Sequence, residues 1–200
     1  MPDHRAADRR VRRTRALLHG ALVSLVHEKP YEDIVVKEIL ARADVGRSTF
    51  YAHYRDKDEL LESGIRDLLH TDATSARVPS ADGAERLLRF SLPFLTHVER
   101  SREHGQLRLH AGSAAAMHEH LRRVIETIVV DELRAEHRWR HALPVGLLAR
   151  HVAATFVLAL GWWLEHPSLP AREIDAHFRA LVEPVLASAG NIRRASPVIT

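Results

Sequence analysis

Two hundred residues with 46% hydrophobic content allow one large domain, or a small domain joined to a larger one, each with a packed core. The chain has no cysteine, which excludes disulfides, thiol redox sensing and cysteine-based zinc sites. The net charge of +3 is modest, and no apolar stretch follows the arginine-rich N-terminus, so a secretory signal is not expected.

The charge is concentrated at the start. Arg5, Arg9, Arg10, Arg12, Arg13 and Arg15 face only Asp3 and Asp8, and a basic terminal run of this kind is an electrostatic footprint for nucleic acid. Residues 1–9 are expected to form a disordered basic arm, with Arg9, Arg10 and Arg13 as its candidate contacts. A first helix is predicted over Asp8–Glu28, where Val11, Leu18, Leu22, Leu25 and Val26 recur at helical spacing. Lys29-Pro30 ends it, because the residue before proline resists helix.

The next segment, VKEILARADVGRSTFYAHYRDKDELL from Val36 to Leu61, reads as a short helix, a tight turn, a second short helix and the capped start of a third. Ile39, Leu40 and Ala43 give the helix Val36–Ala43 one apolar face. Asp44-Val45-Gly46 breaks the pattern, since Gly46 tolerates backbone angles that other residues resist and Asp44 is a turn former. In the helix predicted over Arg47–Tyr54, Phe50 and Tyr54 are four apart and can point inward together. Arg47, Ser48, Thr49, Tyr51, Ala52 and His53 are then left on outer faces. A helix so small and so polar suits a DNA major groove better than a core. Arg47 can pair with a guanine edge in bidentate fashion, and Ser48 is small enough for close approach. Thr49, Tyr51 and His53 can donate to phosphates. Asp56 has N-cap character, with Glu59 three residues on, and Lys57 in the first turn can meet a phosphate. The fourth helix should run to about Ala73. Thr74–Gly83 (TSARVPSADG) is small, polar and broken by proline, and marks a domain boundary.

Five more helices are predicted beyond it: Ala84–Glu103 with a kink at Pro93, Gln106–Ala111, Ala114–His137, Pro144–Glu165 and Pro170–Ala189. Gly190 is expected to stop the last, and 191–200 to be a disordered tail. There is no internal repeat and no strand series. The longest apolar run, Val152–Leu164, falls short of the about 20 residues of a membrane span, so a soluble, cytoplasmic chain without a membrane partner is expected. Between Val152 and Leu164 the helix is apolar nearly all round, which demands burial on every side. A second subunit would supply it, with Phe156, Trp162, Trp163, Phe178, Leu181 and Val185 as the candidate dimer interface. Trp162 and Trp163 lie about 100° apart on a helix, so one should pack inside its own subunit and the other at the interface.

Chemistry is sparse by contrast. Fifteen histidines raise the question of a metal, but His137 and His141 stand alone as an i, i+4 pair without a HExxH pattern, and His118 and His120 do not converge on a helix. No metal and no cofactor are expected. No phosphate loop, nucleophile elbow or catalytic constellation is present, so an enzyme is not expected.

Arg47-Ser-Thr-Phe-Tyr-Ala-His-Tyr-Arg-Asp-Lys-Asp-Glu-Leu-Leu61, with Tyr31-Glu-Asp-Ile-Val-Val-Lys-Glu-Ile39 upstream, resembles the DNA-binding signature of TetR-family transcriptional regulators. The resemblance covers about residues 10–70 specifically and the rest only as an all-helical pattern. It implies an all-α fold of about nine helices. A three-helix helix-turn-helix domain would occupy 10–73 and a C-terminal helical bundle 84–190, the bundle forming the homodimer. It implies that Lys37, Arg47 and Ser48, with Ala52 on the same face, lie near bases, and that Thr49, Tyr51, His53 and Lys57 lie near phosphates. It further implies a repressor that reads a palindromic site on double-stranded DNA and is released by a small-molecule effector. Leu88, Leu92, Phe94, Met117, Leu121 and Ile125 are the candidate effector pocket. There are three departures from the family pattern. Val35 and Val36 replace a capping threonine, Asp44 stands where glycine is usual, and Gly46 where serine often caps the recognition helix. The alternatives are a TetR-like protein that docks a regulatory partner through its C-terminal domain, and a histidine-rich metal-binding helical protein.

Overall fold

The computed structural model describes residues 4–75, 83–105, 111–135 and 143–191. Among these it holds nine α-helices, two 3₁₀ turns and no strand. The helices are α1 (His4–Glu28), α2 (Val36–Ala43), α3 (Arg47–Tyr51), α4 (Lys57–Ser75), α5 (Gly83–Leu88), α6 (Ser91–Glu103), α7 (Ala114–Ala135), α8 (Val145–Glu165) and α9 (Ala171–Asn191). The 3₁₀ turns lie at Tyr31–Asp33 and Ala111–Ser113. The expected tail beyond Asn191, most of the expected helix Gln106–Ala111, the centre of the Thr74–Gly83 boundary, and the pair His137 and His141 lie outside the described residues.

The chain divides into two compact units, one from Met1–Asp67 with Arg108–His120, the other from Leu68–Leu107 with Leu121–Thr200. In the first, α1 is already helical from His4, so residues 4–9 belong to a helix and not to a disordered arm. Its inner face supplies Leu18, Leu22, Leu25 and Val26, which are buried with Ile34, Ile39, Phe50 and Leu60. Full burial of each large apolar side chain contributes about 1.5–3 kcal/mol. Two ion pairs tie the end of α1 to α2. The Arg42 guanidinium grips the Glu28 carboxylate, and the Lys29 ammonium lies 2.6 Å from Glu38. Glu38 also accepts from the Val35 N–H at 3.1 Å, which satisfies the backbone donor of the N-cap residue. Its partners hold the Glu38 carboxyl below the usual range, the Lys29 hydrogen bond most of all.

The second unit is centred on an aromatic cluster. Phe156 on α8 packs edge-on against Phe90, Phe94 and Phe178, with ring centroids at 5.1, 5.6 and 5.2 Å. A buried polar link accompanies it. The Ser91 hydroxyl, with one proton to give, lies 2.7 Å from Leu88 O and 2.5 Å from the Asp175 carboxylate, and Arg179 Nε donates to that carboxylate at 2.8 Å. The expected long helix Ala84–Glu103 is two helices, broken at Arg89–Phe90 and not at Pro93. Pro93 sits in the first turn of α6, where a missing N–H forfeits no helical bond. Nor does Gly190 stop the last helix, since α9 continues through Pro184 and Gly190 to Asn191. The 21-residue α8 is by length and composition apolar enough to cross a membrane, a wider span than the run Val152–Leu164 suggested. Eight of its residues are nevertheless buried within the chain, Phe156 and Trp163 completely, which is the pattern of a core helix.

Candidate nucleic-acid interface

In the turn between α2 and α3, Asp44, not Gly46, takes the left-handed conformation, at φ 50° and ψ 47°. Asparagine and aspartate tolerate that region better than other side-chain-bearing residues. Asp44 closes α2 as its C-cap, and both its N–H and that of Val45 point to Leu40 O. Gly46 is the N-cap of α3 in ordinary extended geometry, at φ −67° and ψ 149°. It offers no side-chain oxygen to the first N–H groups of the helix.

Helix α3 is shorter than its predicted span, ending at Tyr51. The N–H groups of both His53 and Tyr54 then fold back onto Phe50 O at 2.9 Å. This tight turn keeps Phe50 and Tyr54 inward, fully and nearly fully buried, with ring centroids 5.9 Å apart. The Tyr54 hydroxyl reaches His19 Nε2 on α1 at 3.3 Å. With the two aromatics as anchors, Arg47, Ser48, Thr49, Tyr51 and Ala52 are all exposed and His53 is half-buried. Lys37 on α2 is exposed too. The Arg47 guanidinium lies 5.7 Å from the centre of the Tyr51 ring, one turn along, which limits the conformations Arg47 samples. Arg9, Arg10 and Arg13 are exposed on α1.

Helix α4 is preceded by Asp56, whose carboxylate accepts from the Glu59 N–H at 2.8 Å. Glu59 accepts from the N–H of Arg55 at 2.8 Å and from its Nε at 3.0 Å. Those bonds, the backbone one first, lower the Glu59 carboxyl. Lys57, expected at a phosphate, is committed inside the protein. Its ammonium donates to the carbonyls of Tyr31, Glu32 and Ile34 at 2.7, 3.1 and 2.9 Å. An ammonium has three donors, so a direct hydrogen bond to phosphate would require Lys57 to leave a carbonyl.

Lys57 belongs to a polar cluster that sequence reasoning missed. Buried Tyr31 donates its hydroxyl to Asp58 at 2.5 Å and its backbone N–H to Ser113 Oγ at 3.0 Å. The Ser113 hydroxyl in turn donates to Lys29 O at 3.3 Å. His120 meets the Tyr31 ring edge-on at 5.4 Å and places Nδ1 3.1 Å from Glu62. Burial, followed by the bond to Asp58, pushes the Tyr31 phenol well above its ordinary pKa. An aromatic before α2 is visible in the sequence, but no local pattern ties residues 113 and 120 to position 31.

The C-terminal candidates divide sharply. Phe156, Trp163 and Phe178 are completely buried within the chain itself, so they have no surface left for a second subunit, and their assignment to a dimer interface is corrected to the core. The Trp163 indole donates to Leu169 O at 2.8 Å. Trp162 is 44% exposed and Leu181 57%. Leu147 and Leu158, which sequence reasoning passed over, are exposed as well, while Val185 is half-buried. Of the candidate pocket residues, Leu88, Phe94, Leu121 and Ile125 are buried and Leu92 is half-buried, all in the second unit. Half-buried Met117 belongs to the first unit.

Residues 18–63, from the buried face of α1 to the start of α4, match the family described as bacterial regulatory proteins, tetR family. The segment 18–63 is therefore of the TetR type. An HTH-type transcriptional regulator of Bacillus subtilis (strain 168), YxbF, is 42% identical over 60 residues, which are 30% of this chain and 16% of that protein's length. The likeness to solved TetR-type structures extends over nearly the whole chain. A TetR transcriptional regulator from Streptococcus agalactiae 2603V is 25% identical with a TM-score of 0.54, over 90% of this chain and 99% of its own. A transcriptional regulator from Rhodococcus sp. RHA1, 22% identical over 90% and 99% of the two chains, has a TM-score of 0.51. The fatty acid degradation regulator FadR from Bacillus halodurans shares the fold at 17% identity, over 89% and 99% of the two chains, also with a TM-score of 0.51. The matched segment contains the turn closed by Asp44 and Gly46.

Proposed function

We propose that this chain is a DNA-binding transcriptional regulator of the TetR type, acting as a repressor and reading a palindromic operator as a homodimer. The observation that carries the reading is the division of α3, with Phe50 and Tyr54 buried as anchors and Arg47, Ser48, Thr49, Tyr51 and Ala52 exposed together. Arg47 and Ser48 read base edges from the major groove, with Lys37 and Ala52 beside them. Thr49, Tyr51 and His53 hold phosphates and set the register. Lys57 contributes its charge to the phosphate side while its donors stay on the carbonyls. Arg9, Arg10 and Arg13 add a sequence-independent attraction whose strength falls with salt.

One five-residue helix reads only a few base pairs, and two related by a two-fold axis read half-sites about 34–36 Å apart. Exposed Trp162 and Leu181, with Leu158, supply the apolar face for the second copy. An effector held among the α5–α7 side chains acts by preferring one dimer spacing over another. Selection of bound sequences from a random DNA pool tests the proposal, and a palindromic consensus is expected. Absence of enrichment favours the second reading, a TetR-like protein that docks a partner. The acidic Asp44 and the capless Gly46 at the turn are the features that favour it.

A further inference from the structure

We infer that Ser113 and His120, about 50 residues beyond the helix-turn-helix, are positioning residues for the recognition helix and act through Tyr31. The inference rests on the DNA-reading proposal and deepens it. The helix-turn-helix has two ends, and both are fastened at Tyr31. At its entry, Tyr31 opens the 3₁₀ turn that leads into α2. At its exit, Lys57 and Asp58 open α4, and they grip the same residue. Lys57 bonds the carbonyls of the turn and lies 4.5 Å from the Tyr31 ring centre. Asp58 accepts the Tyr31 hydroxyl. The α2–turn–α3 segment is thus a loop of chain closed at one hub, and the orientation of that hub sets where α3 stands.

Ser113 and His120 hold the hub from outside that loop. The Ser113 hydroxyl is completely buried and bridges two backbone groups, accepting from Tyr31 N–H and donating to Lys29 O. It therefore fixes the corner between α1 and the 3₁₀ turn. His120, 5% exposed, closes over the other edge of the ring with Nδ1 on Glu62 and Nε2 3.8 Å from Asp58. Without the hydroxyl, the buried Tyr31 N–H loses its partner, a loss felt in full because water does not replace it. The hub then has cheaper alternatives that move the turn, and base reading suffers first. Phosphate contacts tolerate a small shift of register, whereas hydrogen bonds to base edges do not.

The test uses the full chain with its selected operator and with random DNA, comparing wild type with Ser113→Ala, His120→Ala and His120→Asn. Both alanine variants should lose roughly tenfold in operator affinity, with little change on random DNA. His120→Asn, which keeps a donor towards Glu62, should recover most of the loss. Amide hydrogen exchange should quicken over residues 31–36 in Ser113→Ala and stay unchanged over the buried part of α1. His120→Ala leaves the Ser113 bridge in place and carries the test if Ser113→Ala does not fold. Operator affinities within twofold of wild type would overturn the positioning role, as would equal losses on both DNAs with faster exchange throughout the unit. If the wild-type chain enriches no sequence, the DNA-reading proposal itself fails, and the role with it.

Discussion

The Lys57 ammonium lies 2.7 Å from the carbonyl oxygen of Tyr31 and 4.5 Å from the centre of its ring. One cation thus caps the 3₁₀ turn before α2 and covers the aromatic that begins it. Lys57→Ala should lower the stability of the chain by about 2 kcal/mol, the range for hydrogen bonds from a charged donor. Because the ammonium has no donor to spare, the salt dependence of DNA binding should change by less than the one unit that a direct phosphate contact would remove. Urea unfolding and a salt titration of affinity check the two halves separately. An unchanged urea midpoint with a full one-unit loss of salt slope would place Lys57 on DNA instead of on the turn.

The turn offers two stabilising substitutions. Gly46 has ordinary extended angles, and a Cβ there meets nothing closer than Thr49 Oγ1 at 3.9 Å. Gly46→Ser would give α3 an N-cap oxygen and stiffen the unfolded chain, for a gain of about 0.5–1 kcal/mol. Asp44→Gly would place glycine where φ is positive, for a gain of up to about 1 kcal/mol. It also removes a carboxylate beside the recognition helix, so affinity for random DNA should rise. A lower thermal midpoint for Gly46→Ser would contradict the N-cap geometry.

Trp162 and Trp163 are neighbours in sequence with opposite fates. Trp163→Ala should cost about 3–5 kcal/mol, as for other large buried aromatics, because it empties a fully buried site and orphans Leu169 O. Trp162→Glu should leave the fold intact, since Trp162 is exposed and stacks on His166, itself exposed, with centroids 4.2 Å apart. If Trp162 faces the second copy, the same change buries an unpaired charge and produces monomers in sedimentation. A folded Trp162→Glu dimer would move the interface elsewhere.

Acid should weaken the first unit. Burial holds His19 below its ordinary value of 6.5, against the opposing pull of Asp67 and with a further lowering by Arg15. Burial lowers His118 in the same way. The unfolded chain then takes up protons before the folded one, so this stability is complete above pH 6.5 and lost as pH falls towards the folded values. The urea midpoint should therefore drop between about pH 7.5 and pH 5.5, the window in which imidazoles titrate. His19→Gln should remove part of the drop. An equal drop in wild type and His19→Gln would assign the effect to other groups.

Helical spacing and proline rules place α2 on the residues the structure gives it, because Ile39 and Ala43 are its buried face and local signals decide such elements. The inward pair Phe50 and Tyr54 was legible for the same reason, and it fixes which residues of α3 remain outside. Tertiary choices were not legible. An apolar helix shows that burial is needed but not by what, so Phe156, Trp163 and Phe178 read like an interface although their own chain covers them. Both Asp44 and Gly46 read as turn residues, and only the folded turn shows that Asp44 takes the left-handed position. Ser113 and His120 carry no local pattern at all, since their partners lie about 60–90 residues earlier and only folding brings them together.

Arg47 carries the central claim, since it is the side chain of α3 best suited to choose a base. The direct measurement is selection of bound DNA from a random pool, run in parallel with the wild-type chain and Arg47→Ala. The account predicts a palindromic consensus for wild type. For Arg47→Ala it predicts a consensus degenerate at one position per half-site, with a loss of about 1–3 kcal/mol on the wild-type site. Identical consensus sequences, or no enrichment by the wild-type chain, would contradict it.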